Sequence, residues 1–305
     1  MTYEEHIQLL SESYDFLHNI YSTASAAIGI DYSFSGINIG LFTNGEPRSI
    51  ELEQSYPHEN LLEEAKDIAE KLLEKDSLHL VMGISEPSSD TDHQIAVLEG
   101  HRAGFNEVHL LYESVAAAIG AYWNSKPAAD KATDITKATE ATDPTNAAGE
   151  TTEAIKAIDT ANATKTDKTI ASCVFRGNSL GDSTSFGLAI IEIKNGLFFV
   201  KKLNGVQHKI DNHIVKEVCL TTIRELGLKH IDEVLIVGRK DYVTKEKPLI
   251  KAVRRTFRPM FEDECKYTRG HENLVAKGLA IYGNSLNKQD TVFLEMPKEA
   301  GGCND

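Results

Sequence analysis

Few side chains in this sequence stand where they could do chemistry. Asp31 closes an apolar run in GIDYSFSGINIG (29–40) and is followed by Ser33, Ser35 and Gly36. On its own, a carboxylate ahead of small residues is a strand-end turn. Gly181, Ser183, Thr184 and Ser185 form a second small, polar group within SLGDSTS (179–185). Such residues could contact a phosphate, and they could equally form a plain hairpin turn. Glu113 stands between the strand-like run of Val108, Leu110 and Leu111 and the small-residue run 115–121. Gly238 and Arg239 follow the apolar run Val234–Val237. The four cysteines, Cys173, Cys219, Cys265 and Cys303, are widely spaced without a CxxC pair. They read as free, buried thiols in a reducing compartment, and zinc is not expected without close-spaced Cys or His pairs.

The elements that must position these residues follow from periodicity. Residues 3–20 place Ile7, Leu10 and Leu17 among polar residues, as in an amphipathic helix that packs or docks on a partner. Runs at 27–32, 36–42 and 48–52 read as strands, the first two as a hairpin. Leu61 to Leu73 has helical spacing, and 78–84 is a continuous apolar run suited to a strand covered on both faces. Ser88, Ser89 and Asp90 offer N-caps for a helix reaching about Ala103, before the strand and small-residue helix of 107–123.

Between residues 126 and 168 Ala and Thr make up nearly half of the chain, and no aromatic residue occurs. So little apolar surface cannot offset chain entropy, so a disordered linker is expected. The pattern then restarts. Strands are expected at 170–175, 186–193 and 197–203, the last two joined through Asn195-Gly196, a hairpin signal. A helix at 210–226, a strand at 234–237, a helix at 248–257, a short strand at 265–267 and a helix at 273–282 complete it. Each half thus reads strand, strand, strand, helix, strand, helix, strand, helix, without visible sequence repetition.

Composition narrows the functional classes. The chain has 305 residues, 41% of them hydrophobic, enough for one large domain or two lobes. A net charge of −14 argues against gripping nucleic acid with the whole surface, though Lys251, Arg254, Arg255 and Arg258 make a local basic patch. The N-terminus lacks a signal-peptide pattern, and no run reaches the ~18 apolar residues of a membrane span. A cytoplasmic location is expected.

Several stretches resemble the 70-kDa heat-shock chaperones of the actin-like ATPase superfamily. Tyr112 to Ala118 is similar to that family's crossing helix, with Ala103-Gly104-Phe105 matching its preceding AGL. Glu233 to Asp241 resembles the adenosine motif, and His271 to Gly278 the closing-helix motif. The resemblance implies a duplicated actin-like ATPase (ribonuclease H-like) α/β fold, with two lobes around a nucleotide cleft. It divides the chain into an N-terminal extension (1–26), lobe I (27–125), a linker (126–168), lobe II (169–288) and a linker-like tail (289–305).

By the same resemblance, Asp31 would hold magnesium through the nucleotide, and Glu113 would lie near the metal-bound water. Ser33, Ser35, Gly36, Gly181, Ser183, Thr184, Ser185, Gly238 and Arg239 would contact ATP or ADP with Mg2+. The chain departs from the family where chemistry is done. Ser33 and Phe34 replace a Gly and a Thr of the first phosphate turn, Arg239 replaces a glycine, and the second turn lacks its leading Asp and glycine triplet. The family's catalytic lysine has no counterpart, and both upper subdomains are largely missing.

The type it most resembles is the atypical ribosome-associated fungal paralogue that partners a J-domain protein. That implies a regulatory or scaffolding co-chaperone in protein folding, with weak or no ATP hydrolysis, reaching the ribosome through its J-domain-type partner. An active actin-fold ATPase or small-molecule kinase, and a binding module that uses no nucleotide, are the rival expectations.

Overall fold

The computed structural model describes residues 26–33, 36–43, 45–53, 60–74, 78–86, 88–125, 167–177, 183–194, 196–207, 210–238, 247–261, 266–270, 273–288 and 294–295. The chain is mixed α/β and is built around two sheets. The expected N-terminal helix (3–20) and the Ala/Thr-rich segment (126–168, save its last two residues) lie outside the described residues.

The first half runs β1 (Ala26–Ser33), β2 (Gly36–Thr43), β3 (Glu46–Glu53), α1 (Leu61–Leu73), β4 (Leu78–Ile84), α2 (Asp90–Arg102), β5 (Glu107–Tyr112) and α3 (Glu113–Ser125). The second runs β6 (Lys168–Gly177), β7 (Ser183–Lys194), β8 (Leu197–Gln207), α4 (Asn212–Leu226), β9 (Glu233–Val237), α5 (Lys247–Phe257), β10 (Lys266–Gly270) and α6 (Asn273–Lys288). A two-residue strand, β11 (Leu294–Glu295), follows.

The sheets have the orders β3-β2-β1-β4-β5 and β8-β7-β6-β9-β10, with β11 added beside β8. Each consists of an antiparallel meander of its first three strands continued by two parallel strands. The duplication expected from element order is therefore also a duplication of strand order and direction.

Local chemistry explains the boundaries. Ser89 caps α2 in a capping box with Asp92, whose carboxyl is held below its ordinary value by the Ser89 backbone and hydroxyl. Asp211 caps α4 by accepting from the Ile214 N–H at 2.9 Å, and Gly227 ends that helix in the left-handed conformation (φ 56°).

β1 and β4 read as continuous apolar runs because both their faces are covered. Ile28, Ile30, Leu80 and Met82 face Leu62, Ala65 and Ala69 of α1. The opposite face of the same sheet receives α6, which belongs to the second half. In return α3 of the first half packs on β6 and β7.

The two exchanged helices cross each other, and Val115 to Ile119 of α3 and Leu274, Val275 and Leu279 of α6 share one core with Val174, Ala189 and Ile191. At the crossing Gly278 is required for space, because a Cβ there would overlap the Ala116 carbonyl. The small-residue character of 113–121 and 273–283 is the sequence mark of this contact.

Some boundaries differ from expectation. β8 continues to Gln207, past the expected end at Leu203, because Asn204 to Gln207 stay in register with Ser185 to Leu188 of β7. The short strand expected at 265–267 is β10, Lys266–Gly270, and α6 continues beyond Tyr282 to Lys288. Within the expected linker-like tail, Leu294 and Glu295 pair in parallel with Phe198 and Phe199 of β8, so that part of the tail extends its own sheet.

Candidate functional site

Strand alternation turns Ala27, Gly29 and Asp31 toward the face of the first sheet that meets the second half. Asp31 is fully buried there, and Glu113, at the β5–α3 junction, lies 4% exposed on the same side. Between them stands a residue that the sequence reading did not single out, Arg176, near the end of β6 and 5% exposed.

Its Nε donates to Glu113 Oε2 at 2.7 Å, and its Nη2 pairs with Asp31 Oδ1. Arg176 thus holds a place in the second sheet like that of Asp31 in the first. The ion triad ties β1, the start of α3 and β6 together. Burial makes these contacts strong and makes the loss of any one partner costly.

Glu86, also unforeseen, completes the cluster. It follows β4, is 2% exposed, and reaches into the second half. Its Oε1 accepts from the Ser114 backbone N–H at 3.3 Å and from the Ser114 hydroxyl. Its Oε2 has no hydrogen-bond partner.

The carboxyl lies over Gly187 and the Glu86 backbone over Gly205, a register pair on β7 and β8. A methyl group at either glycine would occupy the space Glu86 takes. Burial pushes the Glu86 carboxyl from 4.5 up to about 8; the Ser114 hydroxyl opposes that rise and the charge of Glu113 adds to it. At neutral pH the side chain is therefore mainly a neutral acid wedged between the halves.

A cavity of about 380 Å³ opens beside the triad, lined among others by Gly83, Asp92, Glu113, Arg176, Ser185 and Gln207. That is the low end of small-molecule sites. A larger groove of about 800 Å³ lies away from this chemistry between α4 and α5, with Lys216, Lys251 and Arg255 on its walls. Of the expected basic patch, Arg254 instead stacks on Tyr267, with its guanidinium carbon 4.8 Å from the ring centroid.

The structure brings together three of the expected site residues, Asp31, Glu113 and Ser185. Ser33 and Gly36 face each other as the last register pair of the β1–β2 hairpin. Ser183 opens β7 opposite Gly177, Thr184 follows it, and Gly238 is buried just after β9. Ser35, Gly181 and Arg239 lie outside the described residues.

The donor set does not suit a magnesium–nucleotide pair. A divalent cation between Asp31 and Glu113 would meet the guanidinium of Arg176 and would have to break two buried ion pairs to be coordinated. With Arg176 bound to it, Glu113 is a structural acceptor more than a base for water. The thiols of Cys173 and Cys219 are buried, and burial raises both well above the usual thiol range, so neither is a nucleophile.

Arg176 was visible in the sequence as a lone charge at the end of the apolar strand Ile170–Phe175. Its partners lie 145 and 63 residues away, so their identity was not. Among the described residues no helix is long and apolar enough to cross a membrane. Compared with family models and with curated proteins, the chain matches none.

Proposed function

We propose that this chain is a shortened, actin-like fold of the 70-kDa heat-shock type in which the nucleotide cleft has become an interlobe lock. It works as a regulatory and scaffolding co-chaperone in protein folding, with little or no ATP hydrolysis. Its partner in this reading is a J-domain-type protein that carries the ribosome contact in the cytoplasm. The supporting observation is the buried Arg176 between Asp31 and Glu113. Phosphoryl transfer to water needs a cation to gather phosphate charge and a free carboxylate to orient the water. Here one guanidinium takes the cation's place and engages both carboxylates. The duplicated strand order and the exchanged helices agree with the two-lobe reading.

The purified full chain tests the enzymatic half of this reading. With Mg2+ and ATP it is expected to show no turnover above background; turnover typical of cellular chaperones, abolished by Asp31→Ala, would favour a working ATPase or small-molecule kinase. Affinity purification from native cytosol at moderate salt, followed by sedimentation, tests the rest. The expected result is a co-purifying J-domain-type protein and a ribosomal fraction; recovery as a free monomer alone discards the co-chaperone reading. A binding module without nucleotide is the second reading, favoured by the small, mostly apolar cavity into which Arg176, Ser185 and Gln207 bring polar groups.

A further inference from the structure

The parallel register of β4 and β5 sets His79 opposite Glu107, and His109 lies two residues further along β5, on the same face. His79 Nδ1 is 3.0 Å and His109 Nε2 3.4 Å from the same oxygen, Glu107 Oε2. All three ligand atoms lie within 4.8 Å of one another. Nitrogen and oxygen atoms bound to a tetrahedral ion at ~2.0–2.2 Å stand roughly 3.4 Å apart, so both histidine–glutamate distances are close to the edge of such a site. The two histidines are 30 residues apart in the chain, which is why no close-spaced ligand pair shows in the sequence.

The surroundings favour binding. β5 is the edge of its sheet, and the side chains of Glu107 and His109 are 39% and 36% exposed, whereas His79 is 10% exposed. One ligand is therefore held in the protein and two open to solvent. Both strands are fixed by their ladders, so the donors converge on rigid backbone.

We propose that His79, Glu107 and His109 bind a zinc ion, with a fourth position open to water or to an exchangeable ligand. Two imidazoles and one carboxylate are a borderline donor set that selects zinc over the hard cations magnesium and calcium. Binding displaces protons from the histidine nitrogens and replaces their hydrogen bonds to Glu107 with bonds to the metal. The ion would brace β4 to β5 at the end of the sheet away from the Arg176 cluster, and it does not depend on the co-chaperone reading.

The test uses the untagged full chain stripped of metal with a chelator. Zinc titrated into it calorimetrically is expected to bind at one equivalent, and cobalt in its place to give the intense visible absorption of a tetrahedral site. Changing residues that merely orient a ligand lowers metal affinity about 10–100-fold, so His109→Gln is expected to lower it at least ~10-fold. The metal-free melting curve should stay close to that of the parent chain. If His109→Gln fails to fold, Glu107→Gln gives the same readout. Absence of zinc binding, or unchanged affinity in the folded variant, overturns the proposal and leaves the trio as a hydrogen-bonded strap between two strands.

Discussion

Arg176 is the residue on which the cluster between the halves depends. Removing it leaves Asp31 and Glu113 buried without their shared cation, and breaking a buried ion pair in this way costs about 3–5 kcal/mol. Arg176→Met is accordingly expected to lower the urea midpoint strongly, and adding Asp31→Asn and Glu113→Gln to recover much of the loss, because then no uncompensated charge remains. A loss in the single variant below about 1 kcal/mol would show that the triad does not hold the halves together. Glu86 gives a second residue-level test. Its folded-state value of about 8 lies above the ordinary 4.5, so the native state holds an extra proton between those values. Its contribution is present at low pH and is lost as pH rises through 8, with a slope of at most about 1.4 kcal/mol per pH unit. Glu86→Gln is expected to flatten the stability profile between about pH 5 and 8; an identical slope in both proteins would count against it.

At the scale of elements, the crossing of α3 and α6 is the tightest contact. Gly278→Val would drive two methyl groups into the Ala116 carbonyl region, backbone that cannot rotate away. Overpacking of this kind costs about 1–3 kcal/mol and sometimes more, to be read as a lowered thermal midpoint. Gly227→Val, in open space at the end of α4, would meet only the strain of its left-handed backbone. A loss at Gly278 no greater than that at Gly227 would show that the crossing widens to admit the side chain at little cost.

Element type and order were legible in the sequence because burial on one or both faces leaves period 2, period 3.6 or a continuous apolar run. A cap within Ser88–Asp90, which proves to be Ser89, and the hairpin joining β7 to β8 were legible for the same local reason. The end of β8 was not, because Gly205 reads as a breaker until Glu86, from a loop more than a hundred residues earlier, is seen lying against it. Arg176 and Glu86 escaped notice because their partners are distant in the chain and periodicity carries no record of them. Asp31 and Glu113 were singled out for roles at a nucleotide, and the guanidinium that they meet instead was not foreseen.

For the whole molecule, the exchange of helices bears on how the protein is made. The sheet β3-β2-β1-β4-β5 has one face covered by α1 within the first half, but the trough at Gly29 and Gly40 on the other face is filled by Ala276, Leu279 and Ala280 of α6. During synthesis that face cannot gain its cover from α6 until α6 has left the ribosome, some 150 residues after α3. The nascent chain must therefore be shielded, or wait, through the production of its entire second half. A chain stopped at residue 272 is expected to pellet on expression, and the same fragment supplied with a separate 273–305 peptide to become soluble. Solubility of the fragment alone would show that the first sheet needs no cover. Completion of the first half is thus tied to production of the second, since α6 covers the sheet that was made first.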